Sequence, residues 1–357
     1  MAVTLKDVAE RAGVSRSAVS RTFTPGASVS ARTRAKVEKA ARELGYLPSA
    51  LARGLTTGRT KLIGLVSDNF RNPAFLEIFD LFTRGLQDRG LRPLLVNLSD
   101  ETDPTHSVRL LRQYSADAVI VASSTLGSAF VRRFTEAGLP TVQAFGRADD
   151  VPVVHNVGID NVACGRLAAT TLRERGYRRI GFLGGPAAAS TTEDRWRGLS
   201  EEIARHPGLS ATASFAAAYS FAAGRAGMQR LLEAGPLAEA YFCGDDVLAI
   251  GALSAVEEAG LRVPEDIGIL GVNDMEMAGW ANIGLTTIRQ PFAEIAASAI
   301  ELVAALLDNP GRSPETRLFA CRVVERRTLR QPGQDPRNIG GRASTQRPPS
   351  RPDSATA

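Results

Sequence analysis

Few residues in this sequence suit it to redox, metal or membrane chemistry. Its three cysteines, Cys164, Cys243 and Cys321, lie far apart in the chain with no CxxC spacing. Neither a disulfide framework nor a zinc cluster is expected, and all three read as small apolar core residues in a reducing cytoplasm. His106, His155 and His206 are equally scattered and read as structural or surface residues, not ligands. No run of about 18 apolar residues is present to span a bilayer. The N-terminus lacks a basic segment followed by an apolar stretch, so no secretory signal and a cytoplasmic location are expected. No P-loop occurs, and "GGPAAAS" at 184–190 follows a strand-like run without the G-x-G-x-x-G spacing of a dinucleotide site. The pair Asp245-Asp246 has no nearby Glu/His set to make a metal or acid–base centre. No cofactor, metal or catalytic residue is assigned, and the chain is not expected to be an enzyme.

The chain does have the bulk of an ordinary globular protein. Of its 357 residues 44% are apolar and 23% charged, which suits two or three folded domains. The net charge of +5 is unevenly placed: residues 1–61 carry +8, residues 62–330 carry −5 and residues 331–357 carry +2. A basic N-terminal segment on an acidic body is the electrostatic footprint of a phosphate-backbone binder.

The segment "TLKDVAERAGVSRSAVSRTF", Thr4 to Phe23, explains that charge. Thr4 followed by Asp7 is a capping-box pattern, and Leu5, Val8, Ala9 and Ala12 give one apolar helical face. Gly13 can end that helix in the left-handed conformation, and Ser15 can cap a second one with Val14, Ala18 and Val19 inside. Two short helices across a glycine turn make a helix-turn-helix. Arg16, Ser17, Ser20 and Arg21 share the outward face of the second helix. There a guanidinium can fork onto guanine in the major groove, and hydroxyls can reach bases or phosphates. A third helix is expected from Ser30 to Gly45, with Val37, Ala40, Ala41 and Leu44 as its buried stripe.

"PSALARGLTTGRT" at 48–60 reads as a junction with a short helix and a flexible exit. Beyond it, strand-like runs alternate with helical stretches, at 61–67, 92–98, 117–123 and 140–145. The pattern restarts after "VVHNVGIDN" (153–161), with runs at 179–185, 238–244 and 266–272. Such alternation predicts two α/β lobes in succession, each a doubly wound parallel sheet, with a ligand between them at the carboxyl ends of the strands. Residues 331–357, rich in Pro, Gly, Ser and Arg, are expected to be disordered.

This order of features resembles the lactose-repressor (LacI/GalR) family of bacterial transcription regulators, over residues 1 to about 330. The headpiece "VTLKDVAERAGVSRSAVSRTF…VSARTRAKVEKAARELGYLPSALARGL" carries the most specific part of it. The resemblance implies a helix-turn-helix headpiece (1–47), a hinge helix or linker (48–60), a two-lobed effector-binding and dimerisation core akin to periplasmic binding proteins (61–330), and a tail (331–357). It implies a homodimer on a near-palindromic double-stranded DNA operator, controlled by a small-molecule effector and independent of any membrane. Arg16 and Arg21 would contact bases. Ser15 and Ser20 would mainly contact phosphates, Ser17 would share that face, Thr4 would meet the backbone, and Leu55 would wedge the minor groove. Effector contacts carry over to Phe75, Arg195, Tyr219, Asp245, Asn273 and Gln290, with Arg71 and Arg147 as additions.

The sequence departs from the family where acidic and amide groups are exchanged at Asp245-Asp246 and Asn273. With up to three arginines available, a sugar acid or sugar phosphate joins a simple sugar as the expected effector. No leucine heptads follow residue 330, which favours a dimer over a tetramer. The competing readings are a solute-binding protein, which has no use for a basic headpiece, and a Rossmann-type enzyme, which would need a phosphate-binding glycine loop.

Overall fold

The computed structural model describes residues 3–24, 26–47, 54, 58–98 and 103–333. Most of the expected hinge, with Leu55, and nearly all of the expected tail lie outside the described residues.

The headpiece folds as its helix ends dictate. Helix α1 (Leu5–Ala12) starts at Thr4, whose hydroxyl accepts the Asp7 amide while the Asp7 carboxylate accepts the Thr4 N–H at 2.7 Å; it stops at Gly13, φ 64°. The hydroxyl of Ser15 caps α2 (Arg16–Thr22), accepting the Ala18 amide at 3.2 Å, and Ser30 and Gly45 bracket α3 (Ala31–Leu44). Val8, Val19 and Val37 are fully buried with Ala9, Ala40 and Ala41 around them, and Phe23 packs on Tyr46 with ring centroids 5.9 Å apart. Burying each valine is worth about 1.5–3 kcal/mol, so in a core this small each cap, about 1 kcal/mol, is a sizeable share. Arg11 Nη2 to Glu43 (2.8 Å) ties α1 to α3, and Arg34 donates to the Thr22 carbonyl (2.8 Å), tying α3 to α2.

The first lobe runs through β1 (Leu62–Ser67), α4 (Ala74–Asp88), β2 (Arg92–Asn97), α5 (Thr105–Gln113), β3 (Ala118–Ala122), α6 (Ser128–Glu136), β4 (Thr141–Ala144) and β5 (His155–Ile159). The second follows with α7 (Asn161–Glu174), β6 (Arg179–Gly184), α8 (Ser190–Ala204), β7 (Ser210–Phe215), α9 (Phe221–Ala234), β8 (Ala240–Cys243), α10 (Asp246–Glu258), β9 (Gly268–Asn273) and β10 (Thr287–Arg289). Then α11 (Phe292–Asp308) and β11 (Thr316–Phe319) return to the first lobe, and β12 (Arg322–Val324) closes the second. The two sheets have matching orders, β2-β1-β3-β4-β5-β11 and β7-β6-β8-β9-β10-β12. All pairings are parallel except β10 with β12. Pro93 is tolerated in β2 because that strand lies at the sheet edge.

The expectation of two lobes in simple succession is therefore corrected. Each lobe takes a piece from the C-terminal region, and three chain crossings join them: after β5, between β10 and α11, and at Ala320–Cys321 between β11 and β12. Helix α11 belongs to the first lobe because its apolar face is buried there. It lies so near α4 that a Cβ on Gly85 would come within 2.6 Å of Ile300 Cδ1.

Candidate functional site

The outward face of α2 is available for contact. Arg16, Ser17 and Arg21 are exposed and Ser20 is half-buried. Neither guanidinium is hydrogen-bonded or ion-paired to a described residue, whereas Arg11 on α1 is held by Glu43. Ser15 lies at the amino end of α2 with its hydroxyl bonded to the Ala18 amide and to the Ser17 hydroxyl at 2.9 Å. Thr4 opens α1, its hydroxyl donating to Asp7 at 2.8 Å. Those bonds hold the Asp7 carboxyl below its usual range.

The second site lies between the lobes, at the carboxyl ends of the strands where such sheets bind ligands. A cavity of about 30 Å³ is lined by Phe75, Arg195, Tyr219, Asp245, Asn273 and Gln290, together with Asn72, Ser124, Phe145 and Phe292. Asp245 follows β8 and caps α10, one oxygen accepting the Val247 amide at 2.8 Å. Its other oxygen accepts the side-chain amides of Asn273, at the end of β9, and of Asn72, from the opposite lobe, each at 2.9 Å. Gln290 donates to the Asn273 side-chain oxygen at 2.5 Å. Burial pushes the Asp245 carboxyl up, against the Val247 amide, the two asparagines and the nearby Arg195 guanidinium.

Arg195 is buried, but it has partners: Nε donates to Asn161 Oδ1 at 2.9 Å and Nη1 to the Gly244 carbonyl at 2.6 Å. The close approach of α7 and α8 brings Asn161 within reach. A Cβ on Gly165 would lie 2.2 Å from the Arg195 carbonyl, and one on Gly198 would lie 2.0 Å from that of Val162. Tyr219 is fixed by the Thr192 hydroxyl at 2.6 Å, and Thr191 donates across the cleft to the Ser124 carbonyl at 3.0 Å. Phe145 and Asn273 both have positive φ, 68° and 118°. Backbone strain of this kind, about 1–3 kcal/mol per residue, gathers at ligand sites.

Behind the cavity Asp246 is fully buried, accepting from the Thr287 hydroxyl at 2.5 Å and the Met275 amide at 2.8 Å. Among the described residues no group of three or more His, Cys, Asp or Glu side chains could hold a metal.

Two arginines expected in the cavity lie elsewhere. Arg71 is exposed and does not line it. Arg147 is turned outward, bridging from the first lobe to α8 of the second: Nε and Nη2 each meet an Asp194 oxygen at 2.8 Å, and Nη2 reaches Glu193 at 2.7 Å. Two carboxylates already neutralise it, so it clamps the lobes from outside. Asn72, Phe145 and Phe292 were not anticipated. Their only signals were positions just past a strand end (Phe145), just before a helix (Asn72) or at a helix's first residue (Phe292). A groove of about 1070 Å³ lies between α5 and α6, lined among others by Thr105, Val108, Arg109, Arg112, Arg133 and Glu136, and shares no residue with the inter-lobe cavity.

The profile described as bacterial regulatory proteins, lacI family, matches residues 4–49, and one described as a periplasmic binding protein-like domain matches residues 169–329. The transcriptional repressor CytR of Escherichia coli (strain K12) is 30% identical over 334 residues, spanning 92% of this chain and 97% of CytR. The repressor PurR of Photorhabdus laumondii is 31% identical over 334 residues, 91% of this chain and 96% of PurR. The Lac repressor dimer bound to operator and the anti-inducer ONPF superimposes with a TM-score of 0.84 at 26% identity, covering 93% of this chain and 100% of that one. The complex of the transcriptional regulator CelR with cellobiose gives a TM-score of 0.69 at 28% identity, covering 91% and 99%.

Proposed function

This chain belongs to the lacI family of bacterial regulatory proteins, and from that premise we propose that it is a sequence-specific DNA-binding transcriptional regulator. It is a repressor by kinship, and a small polar molecule bound between its lobes sets its hold on a near-palindromic operator. The observation that carries this is the pair Arg16 and Arg21, without a partner among the described residues, on a capped, exposed helix. A bidentate guanidinium contact with guanine is worth about 1–3 kcal/mol of discrimination. Ser15, Ser20 and Thr4 would then hold phosphates and fix the register, with Ser17 on the same face. Two headpieces, held by a dimer like that of the Lac repressor, would read the two half-sites. Leu55 of the hinge would wedge the centre, the hinge being too short to stay helical alone.

The lobes are drawn together by Asn72–Asp245, Thr191–Ser124 and Arg147–Asp194. The cavity left is far below the roughly 300–1,000 Å³ of a ligand pocket, so an effector must part these contacts to enter. A ligand that favours one lobe arrangement over the other changes the spacing of the headpieces, and with it the fraction competent for DNA. Of the three arginines the sequence offered, Arg195 alone lines the cavity, and the Asp245 carboxylate stands near it. The wall charges offset each other. A neutral sugar fits this wall better than a sugar acid or phosphate, with Phe75, Phe145, Tyr219 and Phe292 for its apolar faces. The sugar in the CelR complex points the same way.

The test has two arms. Fluorescence anisotropy on duplexes selected from a random pool should yield a symmetric site bound far more tightly than random DNA, with a steep salt dependence. No preference for any duplex at any salt would sink the DNA reading. A thermal-shift panel of sugars, sugar acids and sugar phosphates then identifies the effector, since a ligand of the native state raises the melting temperature by mass action.

A further inference from the structure

The groove between α5 and α6 gathers arginines that the fold leaves without an acid. Thr105, Val108, Arg109 and Arg112 recur at helical spacing along one face of α5, and Arg133 and Glu136 line the groove from α6. Arg112 and Arg133 are exposed and make no hydrogen bond or ion pair with a described residue. Arg109 donates to His106 Nδ1 at 3.3 Å, a partner that brings no negative charge. Acids nearby are already committed. Glu136 pairs with Arg132 at 3.0 Å, and Asp103, which feels the Arg133 charge, accepts the amide and hydroxyl of Thr105 at 2.9 and 2.7 Å. Exposed arginines elsewhere on the core commonly have a carboxylate of their own, as Arg84 has Asp80, Arg205 has Glu202 and Arg262 has Asp266. Deeper in the groove Pro104 is buried, and Val108 is half-buried on the first-lobe core.

We propose that this groove docks an acidic segment of a partner protein, one in which carboxylates alternate with apolar side chains. Charge complementarity selects the sign. Residues 62–330 are acidic as a whole, so three arginines against one glutamate in a single groove run counter to the body that carries them. A guanidinium forks onto a carboxylate through two parallel N–H···O bonds.

Size and walls argue against a small anion. At about 1070 Å³ the groove stands at the upper limit of small-ligand pockets, and every polar side chain lining it is exposed, with none buried to orient a lone ion. One exposed ion pair contributes little, whereas several carboxylates on one chain act together. Apolar side chains between them would cover Pro104 and Val108, which a free ion leaves wet. Duplex DNA is the rival polyanion, because the chain from the headpiece enters beside the end of α5, where the Thr60 hydroxyl donates to the Ser115 carbonyl at 2.6 Å. A rigid duplex rests on the rim and leaves the apolar groups uncovered, while an extended chain fills the groove.

The experiment takes the full chain and a fluorescein-labelled peptide of repeating Glu-Glu-Leu, read by fluorescence anisotropy at fixed salt. That peptide should bind, a Lys-Lys-Leu peptide should not, and a Glu-Glu-Gly peptide should bind more weakly. Arg112→Glu and Arg133→Glu together should weaken the Glu-Glu-Leu peptide on the order of ten-fold. Neither side chain is bonded to a described residue, so the melting temperature should hold. Should that pair fail to fold, Arg112→Gln with Arg133→Gln makes the same test with a smaller loss. The basic headpiece is the internal control: Arg16→Ala with Arg21→Ala should leave the peptide affinity unchanged, and bound peptide should slow hydrogen exchange at 104–113 and 128–137. Affinity that survives the charge reversal, that falls in the headpiece variant instead, or that is equal for Glu-Glu-Gly would overturn the proposal. So would a matching loss of affinity for random duplex DNA in the charge-reversed protein, which would make the groove a nucleic-acid surface. Failure of the sequence-specific DNA reading would leave the peptide outcomes as they stand.

Discussion

The headpiece and the inter-lobe cavity hold their polar groups in opposite ways. On α2, Arg16 and Arg21 project without a described partner, ready to add contacts when a polyanion arrives. In the cavity, Asn72, Arg195, Tyr219, Asp245, Asn273 and Gln290 are each already hydrogen-bonded to protein. A ligand there must exchange some of these bonds for its own. Function and stability are thus separable at Arg16 and Arg21, and entangled in the cleft. Buried polar groups must be satisfied whether or not a ligand is present, and exposed ones are satisfied by water.

The largest expected effect tests the entangled side. Arg195→Ala strips the donors from Asn161 Oδ1 and the Gly244 carbonyl inside the second lobe. It should cost about 2–4 kcal/mol of stability along with the response to effector, measured by urea unfolding. Wild-type stability in this variant would break the comparison. On the separable side, Arg16→Ala should leave stability within about 0.5 kcal/mol yet weaken specific binding by about 1–3 kcal/mol and relax one base position. Equal losses on specific and random duplexes would show that Arg16 meets only phosphate.

The same contrast explains how much could be read from the sequence. The headpiece was legible because its signals are local: Thr4 with Asp7, Ser15, Gly13 and the spacing of Val8, Val19 and Val37 each act within one or two turns. Strands β1, β3, β6, β8 and β9 were legible as buried apolar runs. Strand β7, "SATASF", was not, since it is a mostly exposed edge with little hydrophobic signal. Strand β5 lies inside "VVHNVGIDN", the stretch after which the pattern restarts, and its buried His155 and Asn156 carry no apolar signal. The return of α11, β11 and β12 was invisible for another reason. An apolar helix face states that it must be buried, but not in which lobe. In the cleft, six side chains placed by kinship meet around one cavity, but Arg147 does not join them, because only the fold reveals that Asp194 and Glu193 stand opposite it.

Arg147 offers a smaller effect that sharpens the comparison. As an outer clamp it favours the closed lobes, so Arg147→Ala should raise the apparent affinity of a ligand that needs them parted. The gain should be a few-fold, the factor set by about 1 kcal/mol of lost closure, and isothermal titration measures it. A weakened affinity would instead put Arg147 among the groups that touch the ligand.

The smallest effect concerns Asp246 and is read from pH. Burial, with Asp245 beside it, holds the Asp246 carboxyl well above its ordinary range, against the Thr287 hydroxyl and the Met275 amide. Between its unfolded and folded values the native protein therefore keeps a proton that the unfolded chain has released. The resulting stability is whole below the unfolded value of about 4 and is lost as pH rises through the folded one. Asp246→Asn keeps an oxygen for the Met275 amide and cannot ionise, so its stability should fall less steeply than that of the wild type in urea titrations from about pH 4 to about pH 8. Some slope must remain, because Asp245 is shifted in the same direction. Parallel curves would mean that the buried carboxyl binds no extra proton in the native state. The second lobe would then hold two ionised aspartates side by side, with Arg195 as the cation near enough to Asp245 to oppose that charge.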